Sequence, residues 1–263
     1  MRENTCILLI LALFTSCTDF FVFLYPDKNW LLIEKGPVKL YYKPQNISNT
    51  PSPTEEQAKK ILNNQLYYYE AIQDSIGKAF DDPILVYLYN KDQAQEKIGT
   101  ATGGMAQSRY LTIYYSFIYD IGPYRDKYGI ENAFVGAHEM VHVITHHLLG
   151  NPGTKLMSEG YAVWLDGSYA RNNINTYISK FREEYPQHLL SPTELLNESV
   201  EDEMIYYPNA GVFTRYLVKN YGIENINRLF SVSKENFKKK FEKLANKTWE
   251  EMEENYQIYL NNL

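Results

Sequence analysis

Two apolar stretches, separated by Gly150-Asn151-Pro152-Gly153, constrain this chain more than any other feature. In the first, Phe134, Val135, Val141, Ile144, Leu148 and Leu149 recur at three- and four-residue steps, and no proline interrupts Glu131 to Leu149. That spacing predicts a helix with one apolar face, and the Gly-Asn-Pro-Gly run stops it. A second apolar helix is expected to begin near Leu156 and to run through Trp164, giving an antiparallel helix pair with a short loop. Inside the first helix stands His138-Glu139-Met140-Val141-His142, the pattern H-E-x-x-H. Two histidines four apart lie on one helix face, one turn above the other. Their imidazoles can converge on one Zn²⁺, and the intervening glutamate can take a proton from a metal-activated water. With Glu131 to Ala137 read as helical, the motif is expected in mid-helix.

A catalytic zinc site needs three protein ligands and one open position. The all-histidine continuation H-E-x-x-H-x-x-G-x-x-H fails, because Thr145 and Leu148 stand where it needs Gly and His. The next candidate is Glu159, in Ser158-Glu159-Gly160-Tyr161-Ala162 on the second helix, seventeen residues beyond His142. A short-looped helix pair brings these two near each other. His146 continues the histidine row but lies one turn further along the axis, about 6 Å away, too far to share an ion with His138. Asp166, two turns beyond Glu159, reads as a helix-end residue with the option of orienting a ligand histidine.

These blocks resemble the gluzincin metallopeptidases, in which two histidines and a downstream glutamate in an E-G-[FLY]-A context hold zinc. A third block, Tyr206-Tyr207-Pro208-Asn209-Ala210-Gly211-Val212-Phe213-Thr214-Arg215-Tyr216-Leu217 followed by Tyr221-Gly222, resembles a helix of the small bacterial "peptidase MA-like" domains. The resemblance spans roughly residues 30 to 263. It implies zinc held by His138, His142 and Glu159, with Glu139 as general base. It also implies a tyrosine just before the third block's helix that hydrogen-bonds the tetrahedral intermediate; alignment on the Ala-Gly pair gives Tyr207, with Tyr206 as the alternative. In such enzymes substrate adds to the edge of the sheet above the zinc as an extra strand. Gly103-Gly104-Met105-Ala106 is the segment to which that role falls, with Gly104, Met105 and Ala106 as substrate-binding residues. This segment lacks the acidic residue of the aminopeptidase G-A-M-E-N loop, which favours an endopeptidase. A non-catalytic surface-binding lipoprotein on the same fold is the alternative.

Composition narrows the partners. With 263 residues and 44% hydrophobic content the chain can bury one good core or two small ones. A net charge of −6 and no basic stripe exclude nucleic acid as an expected partner, and the resemblance implies a peptide or protein substrate. The 24 tyrosines include Tyr67-Tyr68-Tyr69 and Tyr114-Tyr115, read as half-buried packing rather than as a polymer-binding groove. At the amino terminus, Ile7 to Phe14 is an eight-residue apolar run, too short to span a bilayer, and Thr15-Ser16-Cys17 follows. This resembles a lipoprotein signal, so residues 1–16 are expected to be a signal peptide, Cys17 the lipidated residue and 17–29 a tether. A lipid-anchored location in the cell envelope follows, with secretion or an uncleaved helical anchor as alternatives. Cys6 and Cys17 are the two cysteines, so neither a disulfide nor cysteine catalysis is expected in the domain.

The remaining elements place this site on a fold. Trp30 to Ile33 and Val38 to Tyr42 read as a hairpin through Lys35-Gly36-Pro37, and Thr54 with Gln57 opens a helix reaching about Phe80. Pro83 to Tyr89 reads as a central strand and Gln107 to Ser116 as another. Strands with one helix, then helices alone, predict an α+β fold. A small mixed or antiparallel sheet would occupy about 30–127, and the active-site helix and a mostly helical zincin-like part about 128–263.

Overall fold

The computed structural model of the chain describes residues 30–43, 52–99, 103–117, 124–132, 135–166 and 174–263. The segments expected to be a signal peptide (1–16) and a tether (17–29), with Cys17, lie outside these residues. The fold is α+β: a five-stranded mixed sheet carries the amino-terminal half, and helices form the rest. Strands β1 (Leu31–Lys35) and β2 (Val38–Tyr42) form the expected hairpin, turning at Gly36 with φ +56°. Helix α1 (Glu55–Ile76) starts with the capping box of Thr54 and Gln57. It ends four residues short of the expected Phe80, because Gly77 takes a left-handed conformation and its amide closes back on Gln73. Strand β3 (Ile84–Asn90) runs straight into α2 (Lys91–Ile98), whose capping box is built by Asn90 and Gln93.

The Gln107–Ser116 stretch is not one strand. It is divided into β4 (Gly104–Gln107) and β5 (Thr112–Phe117) by a tight 3₁₀ turn at Ser108–Tyr110, with Leu111 at φ 50°. The sheet order is β1-β2-β3-β5-β4, parallel at β2-β3-β5 and antiparallel at both outer pairs. Register pairs Val86 with Leu40 and Ile113, so one face presents a continuous apolar layer. Val38, Leu40, Tyr42, Ile84, Val86, Leu88, Ile113, Tyr115 and Phe117 are all buried in the core. Helix α1 packs along this sheet. The opposite face carries the Tyr41–Tyr87–Tyr114 row, stacked at 4.9 and 5.3 Å across adjacent strands. Tyr69, Tyr114 and Tyr115 are buried, as packing tyrosines should be, while Tyr67 is exposed.

A two-residue ladder joins β6 (Tyr124–Arg125) to β7 (Glu131–Asn132). Glu131 therefore begins no helix. Helix α3 covers His138–Leu149 and opens on the first histidine of the motif, so the motif occupies the first turns rather than mid-helix. The helix α4 (Lys155–Asp166) follows, then α5 (Ile174–Glu184), α6 (Pro192–Asn197), α7 (Glu203–Tyr221), α8 (Ile223–Asn227), α9 (Lys234–Ala245) and α10 (Trp249–Asn261). Helix α3 packs on α1, β4 and β5, and α4 on α7, so the α3–α4 pair joins the sheet to the helical part. Among the described residues no helix is long and apolar enough to cross a membrane.

Candidate metal centre

The α3–α4 pair brings together the three side chains that the sequence nominated as ligands. His138 and His142 approach each other Nε2 to Nε2 at 3.1 Å. Glu159 Oε2 stands 3.3 Å from His138 Nε2 and 3.4 Å from His142 Nε2. Three atoms bound to one tetrahedral zinc at its usual bond lengths stand about 3.3 Å from one another. The observed triangle therefore fits a single small cation with two nitrogen ligands and one oxygen. Among the described residues this is the one group of three His, Cys, Asp or Glu side chains close enough to share an ion. Glu159 Oε2 is buried and faces only the two imidazole nitrogens, neither in hydrogen-bond alignment, so a cation held among the three would complete it. The donor set, imidazole and carboxylate, suits Zn²⁺.

The electrostatics describe a site built to hold positive charge. Burial disfavours a charged Glu159, but contact with His138 and His142 outweighs it and keeps the carboxyl well below the ordinary carboxylate range. Burial also works against charging His138, yet Glu159, Glu139 and Asp166 together push it up to about 9.

Three close approaches fix Glu159 relative to the histidines. Gly153, in the loop between the helices, lies against the chain at Val232; a Cβ there would sit 2.0 Å from the Val232 carbonyl oxygen. Gly160 permits α4 to touch α7, since a Cβ would fall 2.2 Å from Thr214 Oγ1 and 3.1 Å from the Ala210 carbonyl oxygen. Gly211 repeats the device from the other side, with Val163 Cγ1 only 2.6 Å from its would-be Cβ. The glycines after Glu159 and after Ala210 are thus two halves of one helix crossing.

Helix α3 is fixed differently. The Gly136 carbonyl accepts from Tyr115 Oη at 2.8 Å and from Gln65 Nε2 at 3.0 Å. Ala137 N–H donates to Asp166 Oδ1 at 2.7 Å. These backbone groups are committed to side chains, which is why residues 136 and 137 do not extend the helix upstream. Asp166, at the end of α4, thus caps the start of α3 in place of a local capping side chain, which Ala137 cannot supply. Ser108 Oγ reaches the His142 carbonyl at 3.2 Å, tying the β4–β5 turn to the same helix.

Glu139 lies against the outer strand. A Cβ on Gly104 would stand 2.7 Å from Glu139 Cγ and 2.8 Å from the Tyr115 ring, so glycine is what allows β4 to pass over the carboxylate side chain. Met105 and Ala106 continue β4, paired with Tyr114 and Ile113. Of the two tyrosines, Tyr206 is buried and donates its hydroxyl to the Leu195 carbonyl at 2.9 Å. Tyr207 instead stacks on His138, ring centroids 5.7 Å apart. Tyr207 lies within α7 rather than before it, because the helix starts at Glu203, capped by Asp202.

His146 is not in the ligand group. It packs near Phe230 at 5.9 Å, and burial together with neighbouring His142 pushes its pKa down to about 4. His147 pairs with Asp82 at 3.3 Å. Reasoning from sequence missed Ser158, whose Oγ lies 3.4 Å from His142 Nδ1, the ring nitrogen turned away from the ligand triangle. Its position immediately before Glu159 was the available signal. The chain matches no protein-family model and no curated protein.

Proposed function

We propose that the chain is a zinc-dependent peptidase, with His138, His142 and Glu159 as ligands and Glu139 as general base. The observation that supports this reading is Glu139 itself, a carboxylate whose charge acts on His138 of the three-residue cluster and which lies under an outer β-strand. When bound, zinc supplies Lewis acidity, polarising a carbonyl and lowering the pKa of water to about 7. Glu139 then takes the proton of the attacking water and passes it to the leaving amine nitrogen. Tyr207, stacked on His138, donates its hydroxyl to the carbonyl oxygen as negative charge develops there. Strand β4, through Gly104, Met105 and Ala106, offers backbone groups to an extended peptide. That mode of binding, with no acidic residue in Gly103-Gly104-Met105-Ala106 to grip a free amino terminus, favours an endopeptidase. Lipidation at Cys17 would hold the enzyme outside the cytoplasm, at the membrane of the cell envelope.

Zinc stoichiometry and cleavage of a mixed peptide library, measured beside Glu139→Ala, test the reading. One zinc per chain is expected, with cleavage reduced by about 10²- to 10⁴-fold in the variant, which keeps its zinc. Wild type that binds no zinc sinks the proposal. Equal zinc and no cleavage by either form favours the surface-binding lipoprotein instead.

A further inference from the structure

We infer that Lys155 is a specificity-determining residue that receives a carboxylate of the bound peptide, either an Asp or Glu side chain or the free carboxyl terminus. The inference rests on the peptidase reading for its substrate class. Lys155 opens α4 one turn before Glu159, so both project from the same side of the helix. Its Nζ stands 4.8 Å from the Tyr206 ring centroid and 5.7 Å from that of Tyr207. Tyr207 in turn stacks on His138 at 5.7 Å. An ammonium, a phenol ring and a ligand imidazole therefore form one row leading away from the metal cluster. Those two contacts put the ammonium within roughly 11 Å of the His138 ring, a span that an extended peptide advancing about 3.4 Å per residue covers in about three residues.

The ammonium has no anionic partner among the described residues. Lys59, Lys97, Lys127 and Lys180 each pair with a carboxylate. Lys59, Lys97 and Lys127 are exposed, and Lys180, half-buried like Lys155, has Glu184 as its partner, so Lys155 differs in facing α7 without a carboxylate. Glu198, the acidic residue in contact with it, accepts from the Lys155 backbone N–H at 3.4 Å and so is directed at the helix terminus. Ring faces attract a cation but do not replace a charge-assisted hydrogen bond. A half-buried cation satisfied only by ring faces, in a chain of net charge −6, is suited to an anion arriving from outside.

Equilibrium binding is the test, read by fluorescence anisotropy on zinc-supplemented Glu139→Ala chain so that turnover does not interfere. Three labelled hexapeptide pools are compared. One lacks Asp and Glu and has an amidated carboxyl terminus, the second is the same with a free terminus, and the third is amidated but contains Asp and Glu. One or both carboxylate-bearing pools should bind about tenfold more tightly than the first, and which one does identifies the source of the carboxylate. Adding Lys155→Met, which retains the stem over Tyr206, should abolish the difference while leaving the first pool unchanged; Lys155→Arg should restore much of it. Equal binding of the three pools, or a preference that survives Lys155→Met, overturns the assignment. The peptidase reading fails separately, on zinc content and cleavage by wild type.

Discussion

The three side chains of the candidate metal centre arrive on two helices that are anchored by opposite means. Helix α3, with His138, Glu139 and His142, is held at its start by directional hydrogen bonds from α1, β5 and α4 to the Gly136 and Ala137 backbone. Helix α4, with Glu159, is held by a steric crossing on α7 in which Gly160 and Gly211 leave no room for a Cβ. Hydrogen bonds can stretch by tenths of an ångström and lose strength gradually. A glycine crossing has less latitude, because an added methyl overlaps a packed side chain, Thr214 or Val163, that must repack against the facing helix. The two sides of the site should therefore fail differently: the α4 side abruptly, the α3 side in increments.

The largest effect is expected at the crossing. Gly160→Ala should destabilise the fold by about 3 kcal/mol, because its Cβ meets both Thr214 Oγ1 and the Ala210 carbonyl. In a Thr214→Ala background the side-chain clash is gone, and most of that loss should be recovered. Denaturant unfolding of the two single variants and the double variant measures the coupling. An unchanged midpoint for Gly160→Ala alone would show that the two sides do not differ as argued.

Acidity provides the next test, because it acts on the ligands and not on their supports. Without a cation, His138 is pushed up to about 9, above the ordinary histidine value near 6.5. A proton bound more tightly in the folded chain stabilises it fully below about pH 6.5, and that contribution disappears as pH rises through about 9. Zinc requires the same imidazole neutral, so uptake at pH 7 should release a proton and affinity should fall up to about tenfold for each pH unit lowered. Thermal unfolding at pH 6.5 and 8.5, with chelator and with zinc, separates the two cases. Chelated protein should lose stability on raising the pH, whereas zinc-loaded protein should gain it. The same trend in both would mean that His138 is not a ligand.

This contrast also explains what could be read from the residues. Local signals gave the correct elements: Thr54 with Gln57 for α1, Gly36 for the first hairpin, and Gly150 to Gly153 for the α3–α4 turn. The grouping of His138, His142 and Glu159 was legible because the chemistry of a metal site restricts the residue types that can build one. The start of α3 was not, since residues 136 and 137 are kept out of the helix by Tyr115, Gln65 and Asp166, each distant in sequence. Helix α2 was missed although Asn90 and Gln93 spell its cap, because β3 runs into it without a loop. The split at Ser108–Leu111 was hidden by β-forming residues on both sides, and its turn is held to α3 by Ser108. The reach of Lys155 toward Tyr207 depends on the α4–α7 crossing, and no spacing in the sequence encodes that.

On the α3 side the effects should be small and separable. Tyr115→Phe removes one of two donors to the Gly136 carbonyl and leaves Gln65 in place, so a loss of about 1 kcal/mol is expected. A loss as large as that of Gly160→Ala would erase the distinction between the two anchors.

The smallest effect tests whether Asp166 acts through its charge or only through its hydrogen bond. Asp166→Asn keeps an acceptor for Ala137 N–H but removes the negative charge from the start of α3, which should cost about 0.5–1 kcal/mol. Asp166→Ala removes both and should cost about twice that. The charge has a second consequence, because Asp166 is one of three carboxylates that raise the His138 pKa. Asp166→Asn should lower that pKa in the chelated protein, followed by NMR of the imidazole, while Tyr115→Phe should leave it nearly unchanged. If Asn and Asp behave alike in both measurements, Asp166 is only a hydrogen-bond acceptor, and the field that tunes His138 comes from Glu159 and Glu139 alone.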